Sequence, residues 1–146
     1  MFLLGNFQHQ LDDKNRIRLP AKFRADLGDK YILMPGTGGC IYVYKADETQ
    51  KILSALNDMQ SMDPVKEEWI RSIVSEGCAV EADGQGRFVL PSNLQQIAGI
   101  VKDVRVVGSI SKAELWSEER WQQRLAKTDR SAGGFDAIYK NLSNSQ

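Results

Sequence analysis

From Gly5 to Leu11 the chain alternates, with Phe7, His9 and Leu11 on one side and Asn6, Gln8 and Gln10 on the other. That period of two predicts a strand. Asp12 to Asn15 are turn formers, and a second strand follows in which Arg16 and Arg18 alternate with Ile17 and Leu19. Both guanidinium groups therefore share one face and both apolar side chains the other. Pro20 ends that strand and suits the first turn of a helix, where its missing N–H costs nothing. Phe23 and Leu27, four apart, give this short helix an apolar side, and Gly28 stops it. Lys30 to Met34 and Cys40 to Tyr44 read as a third and a fourth strand, joined by a loop over 35–39 that is rich in Gly and Pro. The period then becomes helical. Asp47 is placed to cap a helix through Met59 carrying Ile52, Leu53, Leu56 and Met59, and Asp63-Pro64 to start another carrying Val65, Trp69, Ile70, Ile73 and Val74 as far as Gly77. Both stripes are expected to face the core.

The pattern then repeats. Seventy-one residues after Asp12 comes Asp83, and Arg87, Leu90 and Pro91 keep the offsets of Arg16, Leu19 and Pro20. Cys78, Val80 and Ala82 alternate into a turn whose Gly84 and Gly86 permit positive φ. Arg87 to Leu90 is the next strand, with Phe88 and Leu90 as its apolar face and Val89 in place of the second arginine. A helix over Pro91 to Ala98 and strands at Asp103 to Val107 and Ala113 to Trp116 complete the copy, and Ser117 caps a helix bearing Trp121 and Leu125. Beyond Asp129 the residues become small and polar, and a weakly held tail is expected, with a turn or two of helix around Phe135 to Leu142. The fold class is therefore α+β and β-rich, a double module with pseudo-two-fold symmetry and peripheral helices. Its division is expected as residues 5–47, connecting helices over 48–76, residues 77–120, and a C-terminal helix and tail over 121–146.

Charge narrows the function. The formal net charge is zero, which argues against coating nucleic acid through an overall field. Residues 12–24 nonetheless hold Lys14, Arg16, Arg18, Lys22 and Arg24 against Asp12 and Asp13, a local surplus of three. A cationic cluster on a turn, strand and helix is what phosphate contacts require. Asp12 with Arg16, and Asp83 with Arg87, stand four apart across a turn. Each pair could brace its turn, and the aspartate could also orient an arginine whose remaining donors face outward. An enzyme is hard to assemble from one histidine, no serine in a strand-to-helix elbow and no carboxylate pair spaced for acid–base work. Cys40 and Cys78 stand alone, without zinc or redox spacing, and are read as reduced core residues of a cytosolic protein. His9 is read as a packed residue. The Gly-rich loop lacks the Gly-Lys-Ser/Thr ending of a phosphate-binding loop. The N-terminus has no basic region ahead of its apolar run, and no apolar stretch approaches the roughly 20 residues that span a bilayer.

The doubled Asp-x-x-x-Arg motif, read with Gly5-x-Phe7, Leu19-Pro20-Ala21-Lys22-Phe23-Arg24, Asp83-x-Gln85-Gly86-Arg87, Val107-Gly108 and Glu114-Leu115-Trp116, closely resembles the MraZ family from about Gly5 to Trp121. The resemblance implies a bacterial transcriptional regulator of two tandem SpoVT-AbrB-like modules with a swapped-hairpin β core. It further implies repression of the division and cell-wall gene cluster through short direct repeats upstream of it, assembly into a closed homo-oligomeric ring, and a cytoplasmic, nucleoid-associated location. Lys14, Arg16 and Arg87 would then lie at the tips that meet duplex DNA, with Arg18, Lys22 and Arg24 as supporting phosphate contacts. Asp12, Asp83 and Gly86 would shape the turns. Asn15 stands where the family has glycine, and asparagine tolerates positive φ better than most residues. No cofactor, metal, membrane or small-molecule substrate is implied. The alternative is an oligomeric assembly or protein-interaction module that uses the same core without touching DNA. An antitoxin of related fold would need a C-terminal toxin-binding segment, and this tail is short and polar for one.

Overall fold

The computed structural model of the chain describes residues 2–144; the expected end of the tail at Ser145 and Gln146 lies outside the described residues. The first copy comprises β1 (Asn6–Gln10), β2 (Arg16–Arg18), α1 (Ala21–Leu27), β3 (Lys30–Pro35), β4 (Ile41–Lys45), α2 (Thr49–Met62) and α3 (Pro64–Ser75). The second comprises β5 (Cys78–Glu81), β6 (Arg87–Val89), α4 (Ser92–Ala98), β7 (Asp103–Ser109), β8 (Lys112–Ser117), α5 (Glu118–Lys127) and α6 (Gly134–Asn144).

Six strands form one antiparallel sheet in the order β1-β7-β8-β4-β3-β5, and β2 pairs with β6 in a separate ribbon. Read from its other end, the sheet order exchanges each strand for its repeat counterpart. The two copies also trade strands: β1 lies on β7 of the second copy, and β5 lies on β3 of the first. This is the exchanged arrangement that the resemblance implies. A shared main core results, to which Ile17, Leu19, Phe23 and Leu27 contribute from the first copy and Phe88, Leu90, Leu94 and Ala98 from the second. Burying each large member contributes about 1.5–3 kcal/mol, so neither half holds a complete set of apolar partners.

Local signals explain most boundaries. Asp63 caps α3, its Oδ1 accepting from Val65 N–H at 2.9 Å. Ser117 Oγ caps α5, accepting from Arg120 N–H at 3.1 Å. Pro20 and Pro91 sit at the N-cap position, one residue ahead of the first helical turn, and Pro20 C=O accepts from Phe23 and Arg24. Asp47 does not cap α2. It falls in a single 3-10 turn over Ala46–Glu48, and Thr49 opens the helix with its hydroxyl donating to Lys45 C=O at 2.9 Å.

The helical stripes also depart from expectation. In α3 only Ile70 is buried, while Val65 and Trp69 are 67% and 69% exposed, and Leu53 and Met59 of α2 are exposed too. The two helices pack on each other, and Ile52, Leu56 and Ile73 approach Met34 and Tyr42 of the sheet across a cavity. Periodicity specifies which residues share a stripe, not what covers it. Cys40 is fully buried, and burial pushes its thiol up to about 12. Cys78 is only half-buried, because β5 is the outermost strand on its side of the sheet. α6 is longer than the expected turn or two, and every described residue from Leu125 to Asn144 is exposed.

Candidate nucleic-acid interface

The two Asp-x-x-x-Arg turns have the same construction. Asp12 Oδ1 accepts from the backbone N–H of Lys14 and Arg16 at 2.9 and 2.8 Å, and Oδ2 accepts from Arg16 Nε at 2.7 Å. Asp83 repeats this with Gln85, Arg87 and Arg87 Nε at 2.9, 2.9 and 3.1 Å. Asp12 C=O accepts from Asn15 N–H, and Asp83 C=O from Gly86 N–H. Closing the bend puts residues 15 and 86 at positive φ, 58° for Asn15 and 80° for Gly86, so asparagine serves in the first copy as glycine does in the second. The hydrogen bonds from the following arginine, its backbone N–H foremost, hold both carboxyl groups below the usual aspartate range. The aspartates therefore build the bends from within and point their charge inward along the turn.

The bends feed the β2/β6 ribbon, whose register pairs Arg16 with Val89, Ile17 with Phe88 and Arg18 with Arg87. Ile17 and Phe88 are buried, so alternation turns Arg16, Arg18, Arg87 and Val89 to the opposite face. Three of these four positions are cationic. Arg18 stands directly across from Arg87, where cross-strand Cβ atoms lie about 4.5–5.5 Å apart and like charges destabilise the pair. A ribbon that carries this repulsion presents a surface suited to an anion. Arg16 and Arg87 each use Nε on their own aspartate, leaving their terminal nitrogens without a hydrogen bond among the described residues. Arg18 is exposed and has no acidic partner there. Lys14 is exposed at the adjoining tip. The two bends lie at opposite ends of a ribbon only three residues long, tied at one end by Leu90 N–H donating to Asn15 C=O at 2.8 Å, so both arginines belong to one face.

Lys22 and Arg24 are placed differently. Lys22 Nζ lies over the Phe7 ring, 4.6 Å from its centroid. Arg24 Nε donates to Leu19 C=O at 3.1 Å, and its guanidinium covers Gly86, where a Cβ would come within 2.6 Å of Nη1. In the second copy Gln95 occupies the place of Arg24 and donates to Leu90 C=O at 2.8 Å. Arg24 thus lies against the bend of the other half, a contact that only the pairing of the halves reveals. The copies are also unequal: Gln85 and Val89 stand where the first has Lys14 and Arg18, so the positive charge gathers on β2. His9 sits half-buried beside this patch, and burial, then the charge of Arg18, lowers its pKa. Among the described residues no three His, Cys, Asp or Glu side chains come together as metal ligands, and no helix is long and apolar enough to cross a membrane.

Comparison with known proteins places the chain in a family. The family profile described as "MraZ protein, putative antitoxin-like" matches residues 2–71 and 73–137. A protein named transcriptional regulator MraZ from Clostridium beijerinckii is 37% identical over 139 residues, covering 95% of each chain. One of the same name from Caldanaerobacter subterraneus subsp. tengcongensis is 35% identical over 142 residues, 97% of each chain. Another, from Clostridium botulinum (strain Alaska E43 / Type E3), is 40% identical over 118 residues, 81% of this chain and 83% of its own. With both repeats matched and nearly the whole length covered, the chain belongs to the MraZ family.

Proposed function

We propose that the chain is a sequence-specific, DNA-binding transcriptional regulator that docks on duplex DNA through the outer face of the β2/β6 ribbon. The observation that carries this is the grouping of Arg16, Arg18 and Arg87 on one face, with Arg18 set opposite Arg87 in register. The name of its relatives, transcriptional regulator MraZ, supports the same reading. Arg16 and Arg87, each held at Nε by its aspartate, have pre-oriented terminal nitrogens for a base edge or phosphate. Lys14 and Arg18 supply phosphate contacts, and Lys22 adds charge beside them. Arg24 acts through the shape of the bend.

The working form is a closed homo-oligomeric ring acting in the nucleoid on direct repeats ahead of its own operon, the division and cell-wall cluster. A single copy offers only these few cations. Several copies on one duplex add their grips through effective concentration, and so a chain of zero net charge can bind a polyanion. The two tandem modules, residues 5–47 and 77–120, would each supply one bend. The exposed apolar surfaces of α2 and α3 favour a second reading, an assembly module that does not touch DNA. Fluorescence anisotropy with the duplex upstream of its own gene, beside a scrambled duplex, separates the two. The regulator binds the first more tightly, with affinity falling steeply as salt rises; the assembly module binds neither.

A further inference from the structure

Among the apolar surfaces left uncovered on the described residues, two lie on the helices and differ in shape. One is a groove where the α2–α3 hairpin meets the sheet. Ile52, Leu56 and Ile73 face Met34 and Tyr42 there across a cavity of about 280 Å³. Helical spacing extends it outward, because Val65 and Trp69 lie on the stripe of Ile73, eight and four residues before it. In the second half the helix that follows the last strand is sealed down by Trp121 and Trp116; its counterpart α2 has no such filling. The other surface is α6, where Phe135, Ile138 and Tyr139 line one side at i, i+3 and i+4 and are 47%, 61% and 69% exposed. The chain's own α6 does not cover its own groove.

Charge fits one to the other. Residues 46–76 carry seven carboxylates and three cations, net −4, whereas residues 127–144, all exposed, carry three cations and two carboxylates, net +1, with Lys127 and Arg130 on the approach to α6. We infer that α6 of one copy lies in the α2–α3 groove of a second copy, its Phe135, Ile138 and Tyr139 side chains entering the apolar stripe and its basic approach facing the acidic hairpin. This rests on the ring proposed above and assigns its contact. A helix in a groove is read through anchors at this spacing. Because the patch given differs from the patch received, each copy gives one helix and takes one, a head-to-tail contact that generates a ring when the rotation closes.

Light scattering on the full chain tests this, using I138D to spoil the helix and W69D to spoil the groove, both at exposed positions. The parent is expected at a fixed multiple of the chain mass and each variant at the mass of one chain, with circular dichroism unchanged. An equimolar mixture of the two variants retains one good helix and one good groove, and is expected at the mass of two chains and no more. Misfolded variants cannot produce that result; should the charged pair not fold, I138S and W69S carry the same expectation. An assembled parent whose variants keep its mass would overturn this contact while leaving the ring standing, as would variants that fall to one chain but do not pair on mixing. A parent at the mass of one chain, including one whose own α6 folds onto its groove, would remove ring and contact together.

Discussion

Arg16 and Arg18 differ by two positions and by a whole role. Arg16 closes a bend and faces outward; Arg18 only faces outward. Arg18→Ala should therefore leave the unfolding free energy within about 0.5 kcal/mol of the parent, or slightly above it through relief of the repulsion with Arg87, while lowering DNA affinity and flattening its salt slope by about one ion. Arg16→Ala should weaken both, with about 1–3 kcal/mol lost from binding if the guanidinium reads a base. Urea unfolding beside anisotropy titrations distinguishes the two. At position 86, Gly→Ala meets φ of 80° and the Arg24 guanidinium at once, and should cost about 1–3 kcal/mol of stability. Asn15→Gly at the equivalent site should change little, and equal effects at the two positions would contradict the backbone strain argued for position 86. The aspartates give the bends a pH dependence. Their folded pKa values lie below the unfolded value of about 3.9, so their contribution is full above it and is lost as pH falls through the folded pKa. Between about pH 6 and pH 2 the stability of Asp12→Asn/Asp83→Asn should fall less steeply than that of the parent; parallel curves would show that the carboxylates do not brace the folded chain.

At the scale of elements, the two strands of the ribbon were legible because every signal in each is local, whereas their pairing with one another was not. Turn formers, alternation and a terminating proline fix the strand, its two faces and the helix that follows, and the offset of 71 residues carries the reading to the second copy. The contact of Arg24 with Gly86 was not legible, since those residues meet only after the halves interleave. The α2–α3 stripe was legible as a stripe and misread as core, because periodicity cannot tell a buried apolar face from an exposed one. Asp47 looked like a cap by residue type, but Thr49 opens the helix two residues later.

The molecule as a whole is one folding unit written twice. With β1 on β7 and β5 on β3, a fragment of residues 1–76 lacks partners for both β1 and β2 and should remain unfolded alone. It should regain the sheet's circular dichroism only when mixed with 77–146, whereas an independently cooperative transition in either fragment would contradict the interleaving. That interleaving sets the two bends at the ends of one short ribbon and makes a single cationic face from two copies of one motif. The most direct test of that face is the salt-dependent affinity of the full chain for the duplex upstream of its gene, with Arg16, Arg18 and Arg87 changed together to alanine, beside a control that removes Lys51 and Lys66 from the hairpin. The expected result is loss of specific binding in the triple variant and parental binding in the control; a triple variant that binds with the parent's affinity and salt slope would contradict the assignment of the ribbon as the DNA-binding surface.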